Sequence, residues 1–409
     1  MILAVILSCA GVAQAASPIL TTIHNFSGSP NDGAAPLGMV MDTNGVLYGV
    51  ADSGGSTAQC RIGCGAVFSL VPPTSGGAWT ETVYLFPGGS SGASPYGVTG
   101  QGTVLYGTTL QGGNQNGGTV FSLKGPAGMA TERVIAGLGG DNGLYPEVAP
   151  IMDSHGVLYA TSVSGGTYGY GAVFSLTPPA SPGGAWTETV LHSFNYPDGI
   201  NPYAGVVIDS AGVLYGTTLA GGPNDAGIVY SLTPPAVPGG AWTETVLHNF
   251  TGGGDGGSPR NGNLAIGAGG VLYGTTPNGG ATSSAGTVFS LTPPATPGGA
   301  WIETVLHTFQ AADGSTPEAG VIISSTGTLF GTTYFGGKYN HGTVFALTPP
   351  ATPGGAWKDT ILYSFTGGND GSGPWANVLI GRGGVLYGTT LAGGTSGNGT
   401  VFSLAITAP

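Results

Sequence analysis

The tripeptide Leu-Tyr-Gly, or a close variant, begins at Leu47, Leu105, Leu158, Leu214, Leu272, Leu329 and Leu386, at intervals of 58, 53, 56, 58, 57 and 57 residues. A period of that length, kept through seven copies, confines the chain to architectures that set one supersecondary unit beside the next. Each copy holds four short runs rich in β-branched and aromatic residues, separated by Gly, Pro, Asn and Asp. In the fourth copy these runs are YAGVVID (203–209), VLYGTT (213–218), GIVYSL (227–232) and WTETVLHNF (242–250), termed strands a, b, c and d below. No segment combines helical periodicity with capping residues.

Seven sets of four antiparallel strands predict an all-β, seven-bladed β-propeller. The blades are expected at 35–86, 94–138, 145–194, 201–250, 258–309, 316–365 and 373–404 within a domain spanning 17–409. The seventh copy lacks a strand d, whereas residues 18–26, PILTTIHNF, form a strand d without a blade. Pairing the two would complete the ring and leave no exposed sheet edge.

The order of these runs parallels the kelch-type blade. GVLYGTTLAGG followed by GTVFSLTPP more closely resembles the exported bacterial tandem-repeat family called GloVer, whose members carry varied ("choice-of-anchor") anchors. The resemblance spans nearly the whole mature chain. It implies an extracellular or surface location and brings no catalytic residues with it. The closing FSLAITAP carries no recognisable sorting segment, so no anchor is assigned.

Gly (81) and Pro (30) make up more than a quarter of the 409 residues, which without periodicity would suggest a low-complexity chain. Here 40% of residues are apolar and the aromatics recur at fixed places, so a core can be buried. Seven Lys and Arg face nineteen Asp and Glu, for a net charge of −12. Without clustered cations, neither nucleic acid nor an anionic membrane surface is an expected partner. The opening MILAVILSCAGVAQAAS predicts a signal peptide over 1–16, with Ala13-Gln14-Ala15 as the cleavage site, although no basic residues precede the apolar run. A lipobox, Ile6-Leu7-Ser8-Cys9, is the alternative. No other stretch reaches the length of a membrane span. Cleavage would leave Cys60 and Cys64, which in an exported chain favour a small disulfide over a metal site.

Residues that recur in every blade are most simply there for the blade. Thirteen of the fourteen Phe do so, and Trp79, Trp186, Trp242, Trp301 and Trp357 all open strand d. The alternative for the tryptophans is a set of sugar platforms. His24, His192, His248 and His307 share one place in strand d, and alternation puts His192 on the side of Trp186, Val190 and Phe194. A packed, hydrogen-bonded histidine is expected there rather than a base. Glu81, Glu132, Glu188, Glu244, Glu303 and Asp359 share a second strand-d site. Asp32, Asp141, Asp198, Asp255, Asp313 and Asp370 share the d–a loop, where they suit turn formation, with calcium binding as the alternative. Asp42, Asp153 and Asp209 sit before the a–b turn, so of the nineteen acids only Asp52, Glu147, Asp225 and Glu318 fall outside the repeated sites.

Variable loops on a rigid scaffold are where function concentrates. The d–a and b–c loops share one face, and the b–c loops carry Tyr168, Tyr170, Asp225, Lys338, Tyr339 and His341, the candidate ligand-binding residues. No catalytic, metal or cofactor residues are assigned. Gly88-Gly89-Ser90-Ser91-Gly92 satisfies G-x-S-x-G, but that motif needs a strand-to-helix elbow. The expected function is a non-catalytic, monomeric binding or structural module that recognises a polysaccharide or a cell-surface protein. The alternative is a polysaccharide lyase or glycoside hydrolase on the same face, with His341 and Tyr339 as base and acid and Lys338 neutralising a uronate.

Overall fold

In the computed structural model, which describes residues 18–406 apart from 75, 102, 126–130, 238, 281–283, 297 and 353, the chain forms seven antiparallel sheets of four strands each. The expected signal peptide lies outside the described residues. In the fourth sheet strand a (Val207–Ile208) pairs with b (Leu214–Thr218), b with c (Ile228–Thr233), and c with d (Thr243–Asn249). The last sheet breaks the chain order. Ile19–Asn25 pairs with Thr400–Ala405, followed by Leu386–Thr390 and Leu379–Ile380. The chain is thus a seven-bladed propeller whose seventh blade is closed by the first strand.

Both faces of each blade are buried, which is why strand c reads as a nearly unbroken apolar run. In blade three, Val173 packs toward blade four with Phe194, while Phe174 and Leu176 pack toward blade two. In six blades the Phe ending strand d meets a strand-c aromatic of the next blade edge-on, and in blade two Leu138 packs with Phe174 instead. Ring centroids are 5.2 Å apart for Phe250–Phe289, and 5.0 Å for Phe26–Phe68 at the ring closure. Burying each such ring contributes roughly 2–3 kcal/mol. The Leu-Tyr-Gly tyrosine meets the strand-d Trp of the following blade, as in Tyr159–Trp242 at 6.2 Å. The motif's glycine makes room for the strand-c ring: a Cβ on Gly388 would lie 2.5 Å from Phe402 Cζ.

Strict alternation fails in strand d. The pairing Val173↔His192 is followed by Phe174↔Val190, so Leu191 is an extra, bulged residue. A bulge reverses the faces beyond it. Trp186 therefore faces blade two, while His192 and Phe194 face blade four, correcting the single face expected from the sequence. Blade one is one residue shorter here and its strand pairing runs without a shift.

The reversal brings each strand-d histidine to the seam with the next blade. There it meets a d–a loop aspartate and the strand-d acid of that next blade. His192, His248 and His307 lie 3.4, 3.5 and 3.4 Å from Asp198, Asp255 and Asp313. His24 has two carboxylate partners, Glu81 at 3.1 Å and Asp32 at 3.8 Å. Where only one acid is present, a tyrosine replaces the histidine. Tyr84 donates to Glu132 at 3.0 Å with no loop aspartate, and Tyr363 donates to Asp370 at 3.0 Å opposite Leu20, which occupies the acid position. The loop aspartates also bind their own turns: Asp32 accepts from Ser27 N and Gly33 N, both at 2.6 Å.

Candidate functional site

The d–a and b–c loops share one face, as expected, because they hydrogen-bond across every seam. The residue before the d–a loop proline donates its N–H to the b–c loop of the preceding blade, as in Asn201 N to Tyr170 O (2.8 Å) and Gly373 N to His341 O (2.9 Å). That residue has positive φ in all seven blades: Ala35, Ser94, Tyr145, Asn201, Ser258, Thr316 and Gly373 lie between 54° and 63°. Six non-glycine residues held in the left-handed region are strained. The kink turns the chain inward, and the proline packs on the glycine that opens strand c of the preceding blade. A Cβ on Gly399 would lie 2.5 Å from Pro36 Cδ.

On the rim of this face the candidate residues form two groups. Tyr168 and Tyr170 are exposed, and Tyr170 meets Tyr196 edge-on at 6.5 Å. Asp225 accepts from Gly221 N at 3.0 Å and shapes its own loop, and its hydrogen bond to Tyr196 raises that phenol above its ordinary pKa. On blade six, the Lys338 ammonium sits 5.0 Å from the Tyr339 ring centre, and His341 Nδ1 lies 3.0 Å from Ser372 Oγ. Cys60 and Cys64 are joined by a disulfide that tightens the longest b–c loop. Tyr145, Tyr168, Tyr170, Tyr196, Phe335 and Tyr339 are the exposed aromatic side chains among the described residues, and all six lie in d–a or b–c loops.

A second set of residues stands at the centre of the face. Immediately after the seven prolines come Leu37, Tyr96, Glu147, Tyr203, Arg260, Glu318 and Trp375. The proline is constant, but the next residue takes five identities in seven blades. Aimed by the kink, these residues surround the mouth of the central channel. A cavity of about 250 Å³ runs inward from there, lined by Tyr96, Glu147, Asn261 and Trp375 and, further along the strand-a segments, by mostly apolar residues together with Thr99, Asn263 and Asn377. It is bounded by blades one, two, three, five and seven. Blades five and six close together instead: a Cβ on Gly262 would meet Gly320 N at 2.2 Å.

Blade five is built differently at this point. Seven residues separate Pro259 from Gly267 at its a–b turn, against six between Pro202 and Asp209 in blade four. The extra residue lets Asn263 accept from Gly205 N at 2.8 Å. Elsewhere the first Thr of strand b donates to the neighbouring strand a, as Thr161 does to Ala204 O at 3.0 Å. Its counterpart facing blade five, Thr217, is buried without a partner.

Charge is concentrated at the mouth. The Arg260 guanidinium lies 5.1 Å from the Tyr203 ring centre and attracts both Glu147 and Glu318. Buried Glu318 accepts from Asn261 Nδ2 at 3.3 Å. Burial pushes Glu147 up to about 7, with Arg260 opposing and Asp52 adding to the rise. Burial likewise raises Asp52 and Glu318. Asp52 holds a strand-b position that is apolar or aromatic in the other blades (Leu110, Val163, Leu219, Pro277, Tyr334, Leu391). Three of the four acids outside the repeated sites thus converge here, far apart in sequence, while Asp225 stays on the rim. Tabulating the post-proline residue blade by blade would have located this mouth from sequence.

A sequence profile described as Gloeobacter/Verrucomicrobia repeat matches residues 12–184 and 145–402. Among curated proteins there is no significant match. Similar solved structures include the extracellular domain of a candidate one-component system from B. thetaiotaomicron, at 11% identity and TM-score 0.54, covering 94% of this chain and 40% of that one. A candidate 6-phosphogluconolactonase from Bacteroides uniformis aligns at 17% identity and TM-score 0.50, covering 87% and 89%. A Trichoderma reesei protein of carbohydrate-active enzyme family AA12 aligns at 11% identity over 96% of each chain, with TM-score 0.46. These likenesses speak to fold alone, and they include enzymes. Among the described residues no helix is long and apolar enough to cross a membrane.

Proposed function

Since the chain belongs to the Gloeobacter/Verrucomicrobia repeat family and closes into a propeller, we propose that it is an exported binding module holding a polysaccharide on its d–a/b–c face. The observation that carries this reading is the confinement of all six exposed aromatic side chains of the described residues to that face. Exposed rings present flat apolar surface with a polar edge, which suits the C–H faces and hydroxyls of sugar rings. Export is inferred from the apolar opening segment. A cell-surface protein partner is the competing binding role.

The second reading is hydrolytic. Glu147, pushed up to about 7 by burial with Asp52 adding to the rise, has the raised pKa of a general acid with a second carboxyl group beside it. Affinity electrophoresis of the mature chain through gels cast with different polysaccharides, with analysis of released sugars, separates the two. Retardation without products, weakened in Tyr168→Ala or Tyr196→Ala, is the expected result. Products that vanish in Glu147→Gln would establish the enzyme instead. Failure of every polysaccharide to retard the protein would overturn the glycan reading.

A further inference from the structure

We propose that the channel mouth is a socket for the terminal, uncharged pyranose of a glycan, bound end-on. This deepens the reading above and rests on it: the rim aromatics make only weak contacts with the rest of the chain, and the mouth grips its end.

The first support is the divergence of the repeat. A scaffold position would repeat, yet the post-proline residue takes five identities in seven blades, although the residue before each proline holds the same left-handed backbone. The second is the chemistry left unmet. Arg260 Nε, Asn261 Oδ1 and Trp375 Nε1 are buried without hydrogen-bond partners, two donors and one acceptor at one opening. Orphaned buried polar atoms are costly and call for a ligand or water. Sugar hydroxyls answer both kinds, since each accepts from Arg or Trp while donating to Asn or a carboxylate. Tyr96 and Trp375 add ring surface to the cavity wall.

The charge defines which sugar. Asp52, Glu147 and Glu318 outnumber Arg260, and burial already raises all three acids above their ordinary values. A uronate or sulfate would add another anion to a site short of cations, so an uncharged unit is favoured. The depth defines which part of the chain. Below the mouth the wall is mostly apolar (Met39, Val40, Val98, Val148, Ile151), with Thr99, Asn263 and Asn377 as its polar groups, and a volume of about 250 Å³ is under the roughly 300–1,000 Å³ of sites that enclose a drug-sized ligand. One terminal unit fits, and the next points out toward the rim.

The test is titration calorimetry of the mature chain with cellohexaose, xylohexaose, mannohexaose and hexagalacturonate, followed by the trisaccharide of whichever neutral hexamer binds. A neutral hexamer is expected to bind, hexagalacturonate not to bind, and the trisaccharide to stay within about threefold of the hexamer, because the grip is on the end. Trp375→Ala and Arg260→Gln should each weaken binding about tenfold or more. Tyr168→Ala should cost less than about threefold. Trp375→Phe, which keeps the ring but drops the N–H, guards against misfolding and should fall in between. Preference for hexagalacturonate, or affinity that climbs steadily with chain length, would overturn the socket. So would loss on Tyr168→Ala with the mouth variants unaffected, although the face would then remain a glycan surface. If no neutral hexamer binds, the socket is wrong, and if polysaccharides also fail to retard the protein, the wider reading falls with it.

Discussion

Replacing Glu81 by Gln perturbs the seam at which the ring closes, and the structure sets both sign and size of the effect. His24 belongs to the strand that completes blade seven, while Asp32 and Glu81 belong to blade one, so the three groups join the two ends of the ring. Burial alone would lower the histidine's pKa, but its bonds to Asp32 and Glu81 win and raise it from 6.5 to about 9. That separation corresponds to about 3 kcal/mol at 1.36 kcal/mol per pH unit, and about 2 once solvent screening of a partly exposed group is allowed for. Because the folded pKa is the higher one, this stability is fully present below pH 6.5 and is lost as pH rises through 9. Urea melts from pH 6 to 10.5 should therefore show the wild type losing about 2 kcal/mol across that window. Glu81→Gln should be less stable by about 1–2 kcal/mol at pH 6 and nearly equal to wild type at pH 10.5. A difference that does not change with pH, or a wild type equally stable at pH 7 and 10, would refute an imidazolium clamp. The other seams need not behave alike: His248 has a close ion pair with Asp255 alone, and there burial wins and lowers its pKa.

Three further outcomes follow from the same interfaces. Phe26→Ala should cost about 3–5 kcal/mol because that ring is fully buried at the closing seam, and deletion of 18–26 should lower the melting temperature much further; unchanged thermal melts would argue against closure by the first strand. Tyr230 is the one strand-c aromatic with a hydroxyl, and that hydroxyl is buried without a partner, so Tyr230→Phe should stabilise the protein by about 1–2 kcal/mol in a denaturant melt. Glu147 titrates higher in the folded chain than its ordinary 4.5, so its ionisation opposes folding as pH rises toward 7. Glu147→Gln should therefore gain about 2 kcal/mol at pH 8 and nothing at pH 4, by the same melts, while losing affinity for glycan.

Much of this architecture could be read from residue spacing. The interval between Leu-Tyr-Gly motifs counts the blades, and the stray PILTTIHNF identifies how the ring closes, because a strand order repeated seven times leaves one strand missing and one spare. The faces of strand d could not be read in the same way. One bulged residue at Leu191 reverses them, and bulges leave no alternation signal of their own. Strand a also departs from its sequence pattern. YAGVVID reads as seven extended residues, yet in blade four only Val207–Ile208 pair with strand b, whereas strand a runs nine residues in blades one (Gly33–Met41) and two (Ala93–Gln101). The rim residues Tyr168 and Tyr339 stand out as loop aromatics in any single blade. The mouth residues do not: Glu147, Arg260 and Trp375 are each unremarkable locally and become a site only when the ring brings them around one axis.

The central claim is that the repeated residues build the ring and the non-repeated ones at one end of it hold the ligand. Hydrogen–deuterium exchange of the protein, with and without the polysaccharide that retards it most strongly, tests this most directly. Slowed exchange is predicted at 96–101, 147–152, 260–264 and 375–378 around the mouth, with weaker protection at 167–170 and 338–341. Protection confined to the c–d connectors on the opposite face, such as 178–186 and 234–242, would contradict it.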